Sequence, residues 1–192
     1  MATEYEWKFQ ATPEILSAID AAFTEANTEI SMETTYYDTP TGSLSARHYT
    51  LRRRLENGQS VCTLKTPAGA ARNEWEIHCD TIEEATQRLP SLGCPEDFAQ
   101  LVKDGVTPIC GAKFTRIAKT VVTPECTVEI ALDEGILIGG GKEIPLCETE
   151  VELKDGDTRF CDLFAKTLAV RFGLKRERKS KFRRALDLYR GE

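Results

Sequence analysis

Histidine is almost missing from this chain of 192 residues: only His48 and His78 occur. A histidine-rich metal centre or a Ser–His–Asp triad therefore lacks its essential parts. Cysteine occurs seven times, an odd number, and never as C-x-x-C. That pattern suggests neither a zinc knuckle nor a disulfide framework. Reduced thiols, several packed as small hydrophobes, are the expectation. No apolar run is long enough to cross a bilayer, and the opening MATEYEWKFQ has no apolar signal core. A soluble cytoplasmic protein with no membrane partner is expected. Bulk positive charge is also lacking: 25 basic residues face 31 acidic ones, a net charge of −6. No nucleic-acid partner is expected on that balance, although a local Arg and Lys cluster can still dominate the field in a cleft. No repeat of 20–50 residues occurs.

What is present fits one domain over residues 1–192. Glu4–Phe9 alternates polar and apolar residues, the period of a strand. Thr12 and Pro13 can open a helix whose apolar face is Ile15, Leu16, Ile19, Ala22, Phe23 and Ala26. Residues 29–38 read as a strand ending at Asp38-Thr39-Pro40. Asn57-Gly58 between extended runs predicts a hairpin over 50–65. Further strands are predicted over 73–79, 114–123, 126–133 and 143–154, with Pro145 at a frayed start. Thr81-x-x-Glu84 is a capping box, a second short helix is expected over 95–103, and a longer one over 158–172 stops at Gly173. The fold class is α+β with a large antiparallel sheet, which is expected to close into a barrel.

The polar faces of these strands are unusual. One face carries Glu4, Glu6 and Lys8; others carry Arg52 and Arg54, Thr63 and Lys65, Glu74 and Glu76, Glu129 and Asp133, and Glu148, Glu150 and Glu152. The opposite faces are largely apolar. For a single strand the ordinary reading is a solvated face. Repeated on six strands that reading weakens, because like charges two residues apart repel unless something neutralises them. A barrel with its charged faces turned inward and helices covering its apolar outside resolves this. Carboxylates without His or Cys suit hard divalent cations, and clustered Arg and Lys suit phosphate oxygens. An elongated, highly charged anion such as a polyphosphate, bound with a metal, fits both signs.

Glu4-x-Glu6-x-Lys8 resembles the ExExK motif of the CYTH superfamily, the triphosphate tunnel metalloenzymes. Its companions follow in the family's order. Tyr36-Tyr37-Asp38-Thr39-Pro40 resembles YYDTP, Leu51-Arg52-Arg53-Arg54 resembles LRxR, and Thr63-Leu64-Lys65 resembles TLK. Arg72–Glu76 resembles RxExE, Val128–Gly135 resembles VExALDxG, and Glu148–Leu153 resembles ExExEL. Ser180-Lys181 with Arg184 resembles SKxxRG, with Ala185 where the family has Gly. The resemblance implies an eight-stranded antiparallel β tunnel, a closed barrel with helices packed outside. It implies a basic tail, about 174–192, folding near the tunnel mouth.

It also implies metal-dependent hydrolysis of inorganic triphosphate to phosphate and pyrophosphate. Glu4, Glu6, Glu150 and Glu152 would hold Mg²⁺ or Mn²⁺. Lys8, Arg52, Arg54, Lys65, Arg72, Lys113 and Arg116, with Lys181 and Arg184, would grip the substrate, and which of Lys113, Arg116 and Lys119 reaches it stays open. Lys8, Glu74, Glu76 and Asp133 would take the catalytic roles, the last three serving a second metal or orienting water. Lys175, Arg176, Arg178 and Lys179 read instead as solvated charges. Two alternatives stand beside this reading: an adenylate cyclase of class IV type or a thiamine or nucleoside triphosphatase, and a non-catalytic polyphosphate-binding module. The partner is a small-molecule triphosphate; monomer and homodimer both remain open.

Overall fold

The first helix, α1 (Pro13–Ala22), starts where its cap demands: Thr12 Oγ1 accepts from the Ile15 amide at 3.3 Å, and Pro13 fills the first position. It ends one turn before the expected apolar face runs out. Lys119 reaches across to that end, donating to the Phe23 carbonyl at 2.6 Å and pairing with Asp20 at 3.0 Å. A cation is favourable there because the last carbonyls of a helix are partly negative. The computed structural model describes residues 2–69 and 71–192.

The strands are β1 (Ala2–Glu4), β2 (Glu6–Gln10), β3 (Thr28–Asp38), β4 (Thr50–Glu56), β5 (Gln59–Ala68), β6 (Ala71–His78), β7 (Thr107–Val122), β8 (Cys126–Gly139), β9 (Lys142–Gly156) and β10 (Lys175–Arg176). All pair antiparallel in the order β1-β6-β5-β4-β3-β7-β8-β9-β2-β10. This corrects the expected eight-stranded closed barrel: the described residues form a ten-stranded sheet whose ladder does not close. The N-terminal strand is split at Tyr5, where it changes partner. β1 pairs with β6, and one residue later β2 pairs with β9 near the other margin. The Asn57-Gly58 hairpin forms as expected, with both residues at positive φ. Strands β7 and β8 are longer than their alternation suggested. Pro145 lies inside β9, opposite Ile136 of β8 and beyond the last pair with β2, Gln10↔Glu148, so on that side the strand is an edge, where proline is tolerated.

The remaining helices are α2 (Ser43–Ala46), α3 (Ile82–Arg88), α4 (Asp97–Leu101), α5 (Thr158–Phe172) and α6 (Lys181–Arg190). Asp38, the acid of the YYDTP-like segment, builds α2: its oxygens accept from the amides of Thr39, Leu44 and Ser45 at 2.7, 2.9 and 3.0 Å.

Apolar side chains form three cores. The outward faces of β4–β6 (Leu51, Leu64, Trp75) pack on α3 and α4. Those of β2, β8 and β9 (Phe9, Val128, Val151) pack on α1 and α5. The third core adds, to the helices expected outside, one on the inward face. Here Phe182, Ala185 and Leu186 of α6 pack on Met32, Phe114, Leu137 and Leu146. These strand residues share the parity of the charged positions, so α6 sits against the inward face. The reason is local: along β7–β9 the inward positions turn from charged (Arg116, Asp133, Glu148) to apolar and need an apolar cover. Gly139 permits the fit, since a Cβ there would stand 2.4 Å from the Ala185 carbonyl oxygen. Cysteines occur in all three cores and all seven are unpaired. Burial pushes the Cys62 and Cys110 thiols up to about 12.

Candidate functional site

The charged faces converge on one hollow of about 610 Å³, lined from β1 through β9 and by the start of α6. Its wall carries eight cations and eight carboxylates. Glu4, Glu6, Lys8, Arg52, Arg54 and Lys65 all line it, as do Arg72, Glu74, Glu76, Arg116, Glu150, Glu152 and Lys181. Period-two alternation places them there. Lys113 does not join them. It is three residues from Arg116, hence on the other face of β7, where it is half exposed and pairs with Glu33 at 3.1 Å. Lys119, three residues the other way, also points outward.

Cross-strand rows explain the local electrostatics. One row runs Arg116, Asp133, Glu148 across β7, β8 and β9. Arg116 grips Asp133 through two 2.7 Å bonds and donates to Glu150 at 2.6 Å. The Lys181 ammonium meets Asp133 at 2.6 Å and Glu150 at 2.9 Å and also contacts Glu148. Arg184 pairs with Glu148 from behind. Asp133 is wholly enclosed and uses both oxygens on Arg116 and Lys181. It holds those cations in place rather than facing the hollow. The next row, Ala118, Ala131, Glu150 and Lys8, has two small residues that leave room for the Lys181 head.

A third row sets Glu129, Glu152 and Glu6 side by side across β8, β9 and β2. Like charges so placed repel, and the cations at hand are fewer: Lys154 meets Glu152 at 2.8 Å, and Lys8 pairs with Glu6. Burial, with Glu150 nearby, pushes the Glu6 carboxyl above its ordinary value. Burial also raises Glu152, Lys154 only partly offsetting it. Glu150 behaves oppositely. Burial alone would raise it, but Lys181, Arg116 and Lys8 hold it well below the ordinary carboxylate range. On the other wall, Glu4 takes the Lys65 ammonium at 2.5 Å, and Glu74 lies 3.6 Å from Lys65 and 3.7 Å from Arg52. Burial and the Arg52 charge lower both Lys65 and Arg54.

Both signs are thus incompletely satisfied. Glu4 Oε2, Arg52 Nε and Arg54 Nε are buried without a hydrogen-bond partner among the described residues. An unmatched carboxylate oxygen beside the raised Glu6 and Glu152 fits a divalent cation, and hard oxygen donors suit Mg²⁺ or Mn²⁺. The tightest acidic group, Asp133, Glu148 and Glu150, has oxygens within 4.8 Å of one another. It already surrounds the Lys181 ammonium, so it is an ammonium site. Unmatched guanidinium donors fit phosphate oxygens.

Glu56, Glu129 and Lys154 also line the hollow. Glu56, within the predicted 50–65 hairpin, pairs with Arg54. Its parity with Arg52 and Arg54, and that of Lys154 with Glu152, was the available signal. An apolar stretch of wall comes from Ile30, Met32, Phe114 and Phe182, and the Tyr36 ring packs at a tilt against Phe182 with centroids 5.1 Å apart. No helix among the described residues is long and apolar enough to cross a membrane.

Known proteins share this architecture. The chain is 31% identical over 175 residues to the inorganic triphosphatase of Haemophilus influenzae, covering 88% of this chain and 50% of that protein. The chain therefore spans about half the length of this curated relative. A protein of Pyrococcus horikoshii OT3 superposes with a TM-score of 0.66 at 22% identity, covering 96% of this chain and 98% of that one. A putative adenylyl cyclase from Hippeastrum, described as revealing a dominant triphosphatase activity, gives 0.63 at 15% identity, covering 100% and 96%. Identities this low speak to the fold alone. The CYTH domain model matches residues 2–186, and the chain belongs to the CYTH domain family.

Proposed function

We propose that the chain hydrolyses a triphosphate in this hollow, with inorganic triphosphate as substrate and Mg²⁺ or Mn²⁺ as cofactor. The observation that carries the reading is the balanced but unsatisfied wall: equal numbers of cations and carboxylates, with orphaned atoms of each sign. A neutral hollow with that disposition suits a metal–polyanion pair better than a lone anion, which disfavours a purely binding module. The Haemophilus relative's triphosphatase activity supports it.

Glu4, Glu6 and Glu152, with Glu150 at their edge, would hold the cation, which when bound supplies Lewis acidity toward the phosphate oxygens. Arg52, Arg54, Arg116, Lys65 and Lys8 would bind and orient the phosphates, with Arg184 and Asp133 bracing the wall behind. Phosphoryl transfer needs such positioning and charge neutralisation rather than a protein nucleophile. Glu74 stands beyond hydrogen-bond range of Lys65 and Arg52, so its oxygens are free to orient a water and take one of its protons. The water oxygen would bond to the terminal phosphorus as the bridging P–O bond breaks and pyrophosphate leaves.

The test is phosphate release from tripolyphosphate, ATP and thiamine triphosphate, each with and without EDTA. EDTA-sensitive turnover with tripolyphosphate preferred is the expected result. Cyclic AMP from ATP with tripolyphosphate untouched would overturn it. The apolar wall of Ile30, Met32, Phe114 and Phe182 favours one second reading, an organic triphosphate whose non-phosphate part rests there. That reading wins if ATP or thiamine triphosphate has the higher kcat/KM and Met32→Ala lowers it selectively.

A further inference from the structure

Of the eight cations lining the hollow, seven have a carboxylate within 4 Å among the described residues. The eighth, Arg72, does not: its guanidinium donates instead to Thr50 Oγ1 at 2.9 Å. Arg72 stands where the hollow opens into a second cavity of about 360 Å³. That cavity shares Glu4, Glu6 and Lys8 with the first and adds the strap Arg176–Arg178 that follows α5.

The strap is fixed. β10 pairs with β2, and the Glu177 amide donates to the Lys8 carbonyl at 2.9 Å. The Glu177 carboxylate accepts from Gln10 at 3.0 Å and from the Lys179 amide at 2.8 Å. Arg178 is therefore held between two anchored residues. Arg176 also lines the cavity, but its guanidinium is engaged on Trp7, 3.5 Å from the ring centroid. Arg178 has no carboxylate within ion-pair distance among the described residues. Two guanidinium groups without counter-charges thus wall one cavity, and planar guanidinium donors match tetrahedral phosphate oxygens.

We propose that this second cavity is an anion subsite, walled by Arg72 and Arg178, for a phosphate group lying outside the reacting triphosphate. It rests on the triphosphate reading of the main hollow. The phosphate can be the fourth unit of a longer linear polyphosphate or orthophosphate released by turnover, since both present the same oxygens. Arg178, read from the sequence as a solvated charge, then becomes a residue that sets chain-length preference or product inhibition.

The experiment compares wild type with Arg178→Ala and Arg178→Lys. In turnover assays, KM for tripolyphosphate should stay unchanged in Arg178→Ala. KM for linear tetraphosphate, or the inhibition constant of orthophosphate, should rise about tenfold, as for one lost charge-assisted hydrogen bond. A shift in the first identifies a longer chain as occupant, and a shift in the second identifies product. Arg178→Lys should recover part of either. The proposal is overturned if neither constant moves, or if KM for tripolyphosphate rises by the same factor. Calorimetric titration of tetraphosphate and of orthophosphate in EDTA reads the subsite without turnover. Weaker binding to Arg178→Ala there, with no hydrolysis of any triphosphate, would keep the subsite and refute the proposed reaction. Unchanged binding of both anions in an active enzyme would do the reverse.

Discussion

Glu6 and Glu150 line one hollow a single row apart, and burial raises both carboxyls, yet they end on opposite sides of their ordinary value because the charges around them differ. A carboxyl held above its ordinary value binds its proton more tightly folded than unfolded. Ionised Glu6 therefore weakens the fold, and increasingly so as pH rises through the raised value. Glu6→Gln should melt no lower than wild type at pH 7 by circular dichroism. On the proposed reaction, turnover with Mg²⁺ or Mn²⁺ should fall at least about a hundredfold, since even outer-shell changes cost up to that much. A variant that loses activity and stability together would contradict this. Lys181 makes the opposite case. Lys181→Met leaves Asp133, Glu148 and Glu150 facing one another, and breaking a buried charge cluster costs about 3–5 kcal/mol. Urea unfolding at pH 7 should show that loss, and it should shrink toward acid pH as Glu148 and Glu150 protonate.

Single elements carry whole sets of these groups. Helix α6 brings Lys181 and Arg184 to the wall and seats Phe182 on Tyr36. Its docking depends on Gly139: a Cβ there would also lie 2.8 Å from the Tyr189 amide nitrogen, and backbone does not yield easily. Gly139→Ala should cost about 1–3 kcal/mol, as overpacking does, and should lower turnover because the two cations ride on the displaced helix. Chemical unfolding and phosphate release on one preparation check both. The strand rows were legible in the sequence because period two leaves little freedom: once Arg116 faces inward, Lys113 and Lys119 cannot. The resemblance brought Lys181 and Arg184 toward the tunnel, but the packing of α6 on the inward face was not legible. Its buried side mixes Lys181 with Phe182, a pattern equally suited to a solvated tail, and only the apolar ends of β7–β9 decide the matter. The partner change at Tyr5 was hidden for a related reason, since Glu4–Phe9 alternates without interruption.

At the scale of the molecule, carboxylates of both kinds set the response to acid. Burial would raise Glu4 and Glu150, but Lys65 and Arg52 for the first, and Lys181, Arg116 and Lys8 for the second, hold them below their ordinary 4.5. A depressed carboxyl stabilises the fold above its unfolded value, and that stabilisation is lost as pH falls through the depressed one. Acid unfolding followed by circular dichroism should begin below about pH 4.5, and Glu150→Gln should flatten that part of the profile. The number of strands and the open ladder were the least legible features, because both depend on where strands at opposite margins end. Six of the seven thiols are buried, shared among three separate cores. Each core thus owns an endogenous chemical reporter. A pulse of alkylating reagent in mild denaturant, read peptide by peptide in a mass spectrometer, would time the opening of each layer without a label being introduced.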